Sequence, residues 1–374
     1  MLGPESPSVQ RSLAACLLAS VGLFALDGLL FHTGFYTSIL EPDSSAGLYE
    51  LILYREQQAQ KHNGDSMILT FGDSRFAYAP RLCNEIASKT GYVFRSGGVA
   101  GSETRAWYYM LRDLDPSARR YRAIVFGLND YSDEENGYDP DDDIRALHYA
   151  IARLRWSDAV EFAQSFHSRA IQLEALRGAI LKGIVLQSDI AAFLTHPLKR
   201  LAYVKQCHGG YEEWTYNYLE APTAMTGLQI DWSTMQATFP PGATAEQMST
   251  TKSWLLHPPL PQTGRLAAYR RKWFGKIIER YRDSPTKIVF IRLPRGPIPR
   301  PDSLAQKSSS CVREFAARNP NVLLANESAF NALEHPELFK DAWHMNREGI
   351  ARFSPMLAEE VARLLGPPDH RREP

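Results

Sequence analysis

Three short apolar runs constrain this chain more than any other feature. MILTF (67–71), YVFRSGG (92–98) and YRAIVFGLND (121–130) each break off in glycine with small or polar residues, and helix-length segments, RFAYAPRLCNEIASKTG and ETRAWYYMLRDL, separate them. A continuous apolar run has no polar face, so a strand of this kind must be covered on both sides. Strands joined through helices run parallel. The runs therefore predict βαβ units and an α/β domain with a parallel sheet. After GLND the pattern stops. It resumes with a helix, GRLAAYRRKWFGKIIERYR, a strand, TKIVFIRLP (286–294), a further helix and strand in VREFAARNPNVLLANES, and a closing helix, NREGIARFSPMLAEEVARLL.

A second constraint lies upstream. SLAACLLASVGLFALDGLLF, between Arg11 and His32, carries one charge, Asp27, and has about the 20-residue length a helix needs to cross a bilayer. It continues into FHTGFYTSIL instead of a cleavage site followed by polar sequence, so we expect an uncleaved anchor; a cleaved signal peptide and a buried soluble helix are the other readings. LAAC (13–16) resembles a lipobox only superficially, because the apolar stretch follows the cysteine. Flanking charge is thin, Arg11 and the amino terminus against Glu5. The expected arrangement is a short inside tail with the bulk of the chain extracytoplasmic, periplasmic or extracellular.

These signals divide the chain into 1–35, tail and anchor; 36–63, the turn-rich EPDSSAG connector and the helical LYELILYREQQAQKH; 64–130, the first part of the α/β domain; 131–285, a mainly helical insertion; 286–366, the second part; and 367–374, a polar tail expected to be disordered. The insertion holds the amphipathic segments IRALHYAIARLRW, DAVEFAQSF and IQLEALRGAILKGIVL, then a Tyr/Trp-rich stretch with Tyr211, WTYNY (214–218) and Trp232. Those aromatics suit either a sugar-binding cleft or the insertion's own small core. Lys+Arg and Asp+Glu are equal at 42 each, so bulk charge draws the chain toward no nucleic acid. The four cysteines, Cys16, Cys83, Cys207 and Cys311, show no CxxC or Cys/His ligand spacing. That argues against structural zinc and leaves room for one disulfide among the last three.

In an open parallel sheet, reactive groups collect where the strands' carboxyl ends face a common crevice. Those ends carry Gly72-Asp73-Ser74, the glycine loop at Gly98 and Asn129-Asp130, while the loop before the last helix carries Asp341-Ala342-Trp343-His344. A serine hydroxyl is a poor nucleophile until an imidazole accepts its proton, and the imidazole needs a partner on its other nitrogen. His344 and Asp341 could fill those places. The Ser74 amide, the Gly98 amide and the Asn129 side chain could receive a developing oxyanion. Each residue also has a plainer reading: Ser74 as a helix N-cap, Gly98 as a turn glycine, Asn129 as a loop brace, Asp341 and His344 as a surface pair. Arg75 reads as a salt bridge to a neighbouring carboxylate or as a contact for an anionic or carbohydrate substrate, and Asp73 and Asp130 as turn residues. There is no HExxH and no phosphate-binding loop, so neither metal nor cofactor is expected.

GDSR (72–75), SGGVAGS (96–102), GLND (127–130) and DAWHMNREG (341–349) resemble, in order, the four blocks of the SGNH hydrolase superfamily, the GDSL-type esterases and acyltransferases. The resemblance covers roughly 64–130 and 286–365. It implies a flavodoxin-like three-layer α/β/α fold, a triad of Ser74, Asp341 and His344, and an oxyanion hole of Ser74, Gly98 and Asn129. Ser96 departs from the asparagine that often stands two before the glycine, and Arg75 from the small or aliphatic residue that often follows the nucleophile. With the anchor, the chain is similar to the accessory proteins of envelope polysaccharide O-acetylation. That likeness implies acyl, first of all acetyl, transfer to an extracytoplasmic glycan, with a multipass membrane acyltransferase as a partner. The same triad with water as acceptor would be an esterase acting on glycans or lipids, and a tethered non-enzymatic scaffold is a third reading.

Overall fold

The computed structural model describes residues 7–59, 66–76, 90–135, 143–210, 225–257, 260–301 and 308–368. Cys83, WTYNY, most of the segment expected to be helical after Ser74 and the end of the polar tail lie outside the described residues. The chain forms two compact units. One comprises Met1–Leu51 and Leu147–Gly210, the other Ile52–Ala146 and Tyr211–Pro374. Residues 147–210 thus go with the N-terminal segment, and 211–285 with the α/β unit.

The α/β unit is built on five parallel strands, β1 (Met67–Phe71), β2 (Val93–Ser96), β3 (Ala123–Leu128), β6 (Lys287–Arg292) and β7 (Val322–Leu324). Two further strands, β4 (Gln229–Asp231) and β5 (Gln236–Thr238), form a separate antiparallel hairpin. The main sheet has the order β2-β1-β3-β6-β7, the 2-1-3-4-5 order of doubly wound, flavodoxin-like sheets. Register is continuous: Ile68 pairs with Ala123, and Ala123 with Lys287.

Burial on both faces explains why β1 and β3 are apolar at almost every position. Ile68, Ala123, Val125, Val289 and Ile291 belong to a core shared with Ile350, Phe353, Leu357 and Val361 of the helix Arg347–Leu365. On the alternate positions Phe71, Phe126 and Phe290 stack across the strands at 5.8 and 5.7 Å between ring centroids. Trp107 of the helix Thr104–Leu114 and Phe274 of the helix Arg265–Arg280 cover them. The result is a three-layer α/β/α arrangement. Trp232 packs against this same α/β core, not against a small core of the insertion's own. Cys311 is a buried thiol whose Sγ donates to Asp133 Oδ1 at 3.3 Å; burial, with that carboxylate's help, pushes it up to about 12.

The other unit is helical. The helix Pro7–Asp27 and the turn Gly28–His32 contain the one span, Arg11–His32, that among the described residues is long and apolar enough to cross a membrane. Asp27, the charge in that run, acts as a brace, and its carboxylate accepts the amides of Lys182 at 3.2 Å and Gly183 at 2.8 Å. The expected single helix 171–186 therefore breaks at Leu181, into Arg169–Ile180 and Lys182–Val185. Gly178 lets the segments close up, since a Cβ there would lie 2.6 Å from Val185 Cγ2 and 2.8 Å from Leu147 Cδ2. IRALHYAIARLRW is likewise helical only over Arg145–Ala150. Cys207 is a buried thiol, and neither Cys207 nor Cys311 is in a disulfide.

Candidate active site

Strand order reverses at β1, whose neighbours β2 and β3 lie on opposite sides, so the loops after β1 and β3 diverge and leave a crevice at their carboxyl ends. Ser74 follows β1 and Asn129 follows β3. The turn into Ser74 is tight. A Cβ on Gly72 would stand 2.6 Å from Phe76 Cβ, and Phe76 N–H closes the turn on Asp73 O at 3.0 Å. The loop after β2 is tied alongside by Gly97 N–H to Thr70 O at 2.8 Å and Val99 N–H to Gly72 O at 3.2 Å.

Into this corner the loop 341–344 brings an imidazole. Ser74 Oγ and His344 Nε2 are 2.8 Å apart across 270 residues of sequence, and His344 Nδ1 lies 2.8 Å from Asp341 Oδ2. The Asp341 carboxylate shapes its own loop, because Oδ1 accepts the Trp343 and His344 amides at 2.8 and 2.7 Å. Both ends of the loop are pinned. Lys340 N–H donates to His344 O at 3.0 Å, and Asn346 caps the last helix by accepting Gly349 N–H at 2.9 Å. Gly349 allows the helix start to approach, since a Cβ would fall 2.3 Å from Leu338 O. Gln247 Nε2 adds a bond to Lys340 O at 2.6 Å.

Arg75 takes the first of its two readings, and more. Its guanidinium grips Asp73, with Nη2 donating to Oδ2 at 2.7 Å and Nε to Oδ1 at 3.1 Å. Its other flank lies over the Trp343 ring, 3.8 Å from the centroid, and Trp343 in turn stacks on Trp254 at 4.6 Å. Arg75 therefore joins the residue before the serine to the residue before the histidine, a cation–π contact of about 2 kcal/mol when desolvated. The side chain is 4% exposed.

Electrostatics keep the ring neutral. Burial, and then the Arg75 charge, hold the His344 imidazole well below its usual 6.5 against the opposing pull of Asp73, so at neutral pH it is unprotonated and able to accept a proton. Burial raises Asp341, against the two backbone amides that favour its charge. The expected oxyanion donors are placed less completely. Gly98 N–H is engaged by Ser96 Oγ at 3.3 Å, in the place where the resemblance expects an asparagine. Asp130 Oδ1 accepts Ser132 N–H at 2.8 Å, a turn bond, as its sequence reading proposes.

A cavity of 220 Å³ opens beside the triad, lined by Asn129, Glu103, Trp254, Arg270, Arg300 and Trp343 among others; Asp73 and Arg75 line it, but Ser74, Gly98 and His344 do not. Glu103, absent from the sequence reading, is pushed up to about 7 by burial and then by Asp73. In the sequence it is only the first residue of the helix-length ETRAWYYMLRDL; in the structure it is the extended residue before the helix Thr104–Leu114. Trp343 sits inside the D-x-x-H block, yet nothing in the sequence pairs it with Arg75 or Trp254. Among the described residues no group of three or more His, Cys, Asp and Glu side chains is placed to hold a metal ion.

No family model matches this chain, and no curated protein matches it. The chemistry available at the site follows from its own geometry.

Proposed function

We propose that this protein is an SGNH-type serine acyl-ester enzyme, held to the membrane by its N-terminal helix with the α/β unit on the extracytoplasmic side. It moves an acyl group, acetyl first of all, to a glycan hydroxyl through an acyl-Ser74 intermediate. The observation that carries the reading is the relay of 2.8 Å contacts from Ser74 Oγ through both ring nitrogens of His344 to Asp341. It falls within the hydrogen-bond reach that general-base activation of a hydroxyl requires.

Ser74 Oγ attacks the ester carbonyl carbon as His344 Nε2 takes its proton, and Asp341 steadies the imidazolium. The oxyanion is received by the Ser74 amide, the Asn129 side-chain amide and the Gly98 amide once it leaves its long bond to Ser96. His344 then protonates the departing oxygen, the carbon–oxygen bond breaks and acyl-Ser74 forms. A glycan hydroxyl deprotonated by His344 repeats the sequence in reverse. In this reading the acyl donor is supplied by a multipass membrane acyltransferase. With water as acceptor the same steps give an esterase on glycan or lipid esters, the second reading. The third, a non-enzymatic scaffold, would be favoured by the loss of any one of these roles.

Labelling of the full-length protein with a fluorophosphonate probe tests the enzyme reading. Labelling that Ser74→Ala abolishes is expected; an unlabelled wild-type chain would overturn it. Acetyl release from a chromogenic ester, followed with and without an oligosaccharide acceptor, separates the two acceptors. Free acid as the sole product in both cases removes transfer.

A further inference from the structure

We propose that the helical unit does more than follow its anchor: it seats an apolar surface of its own in the interfacial layer of the lipid bilayer. The proposal rests on reading Arg11–His32 as embedded in the membrane.

Among the described residues, every exposed large hydrophobic side chain outside the N-terminal apolar helix belongs to the helical unit, and none to the larger α/β unit. Beyond the span they include Phe35, Trp156, Val160, Leu194, Leu198 and Leu201, with Leu198 81% and Leu194 71% exposed. A soluble monomer scatters such residues over its whole surface. Their confinement to one unit marks a surface suited to a different solvent.

Contacts inside the unit set the depth of that surface. Trp156 Nε1–H donates to His32 Nε2 at 3.0 Å, and His32 is the last residue of the span. The Trp156 indole thus has its polar edge satisfied while the residue is 60% exposed, the amphipathic presentation that places tryptophan in the headgroup region. Phe35 follows His32 by three residues, at most about 10 Å of chain. Leu194 and Leu198 flank the corner at His196, between the helices Gln187–Thr195 and Pro197–His208. This helix pair is fastened to the segment leaving the span: Tyr36 OH donates to Asp189 Oδ1 at 2.7 Å, Tyr36 meets the Phe193 ring at 6.1 Å, and Arg200 Nη1 donates to Ile39 O at 3.2 Å. Residues fixed this closely to the exit of a spanning helix lie in the zone where apolar helix faces enter the headgroup–acyl boundary. Continuity with the span favours lipid over a protein partner as the occupant.

The test uses the full-length chain, with Cys16 and Cys83 changed to serine, reconstituted in phosphatidylcholine/phosphatidylglycerol vesicles. An environment-sensitive fluorophore is placed in turn at Leu18→Cys, Val160→Cys and Leu198→Cys. Val160 and Leu198 are exposed, so their replacement leaves the fold intact. The expected result is blue-shifted emission at all three sites. Shallow nitroxide lipid should quench Val160→Cys and Leu198→Cys at least twofold, deep nitroxide lipid should quench Leu18→Cys, and iodide should have little effect. Iodide quenching at Val160→Cys and Leu198→Cys with lipid quenching at Leu18→Cys overturns the proposal and leaves the anchor standing. Iodide quenching at all three overturns both. Labels open to iodide in pure lipid but shielded in native membrane vesicles assign the surface to a protein partner and overturn it as well.

Discussion

Both units bury aromatic and charged side chains, but among the described residues only the helical unit exposes large apolar ones. The α/β unit buries its aromatics, Phe71, Phe126, Trp273 and Phe290 among them, and lines its site with charge. The helical unit exposes Leu194 and Leu198 and buries Lys182, Arg200 and Asp27. Its buried charges are matched: Arg200 bonds Glu41 at 2.8 Å and Asp189 at 2.9 Å, and Lys182 Nζ donates to Ala152 O at 3.0 Å. Burial still pushes the Lys182 ammonium down to about 8, with Asp27 opposing. A core that excludes water needs apolar side chains inside, and burying a charge requires a partner for it, so both units meet the same demands within. The units therefore differ in what they leave on their surfaces and not in what they bury.

The largest expected effect falls on the reactive site. Ser74→Ala should lower ester turnover on the order of 10⁴ to 10⁶-fold while leaving the unfolding midpoint unchanged, as read by steady-state kinetics beside a urea melt. Equal activity of the variant would end the comparison at once. Phe126→Ala should cost the α/β unit about 3–5 kcal/mol, because the ring is stacked on both neighbouring strands and cannot be replaced by collapse; urea unfolding measures it. Asn129→Ala should reduce kcat about 10²–10³-fold, the usual effect of losing one oxyanion donor. A change confined to KM would assign Asn129 to binding instead.

Arg75→Gln should lower kcat about tenfold, since the link between the nucleophile turn and the histidine loop is lost. It should also move the acid limb of the kcat/KM profile upward. Arg75 helps hold the His344 imidazole down while Asp73 pulls it up, so without the guanidinium the ring keeps its proton to higher pH and the base is lost sooner on acidification. Arg75→Lys retains the charge but not the bidentate grip or the stacking, and should restore the limb more than the turnover. The smallest effect belongs to the other unit: Leu198→Ser, at a position 81% exposed, should change stability by less than about 0.5 kcal/mol in detergent.

Much of the α/β unit was legible because the physics is local. A parallel strand buried on both faces reads as an unbroken apolar run, and β1, β3 and β6 coincide with MILTF, AIVFGL and KIVFIR. The residues that meet at the site were legible through their order along the chain, each at a strand end or before the last helix. The helical unit was less legible. Hydrophobic periodicity marks which residues are apolar but not which solvent covers them, so Leu198 reads like a core leucine. Nor does periodicity reveal that an aspartate far upstream ends a helix at Leu181.

By itself the sequence determined the parallel α/β layout, the apolar N-terminal helix and the set of residues that could form a relay, since alternation, length and residue type express local preferences. Tertiary structure alone decided that Ser74 and His344 stand 2.8 Å apart, that Trp254 backs Trp343 and Arg75, and that burial pushes Glu103 up to about 7. Those depend on distances between segments remote in the chain and on how far each charge is withdrawn from water, and both are set only when the layers pack.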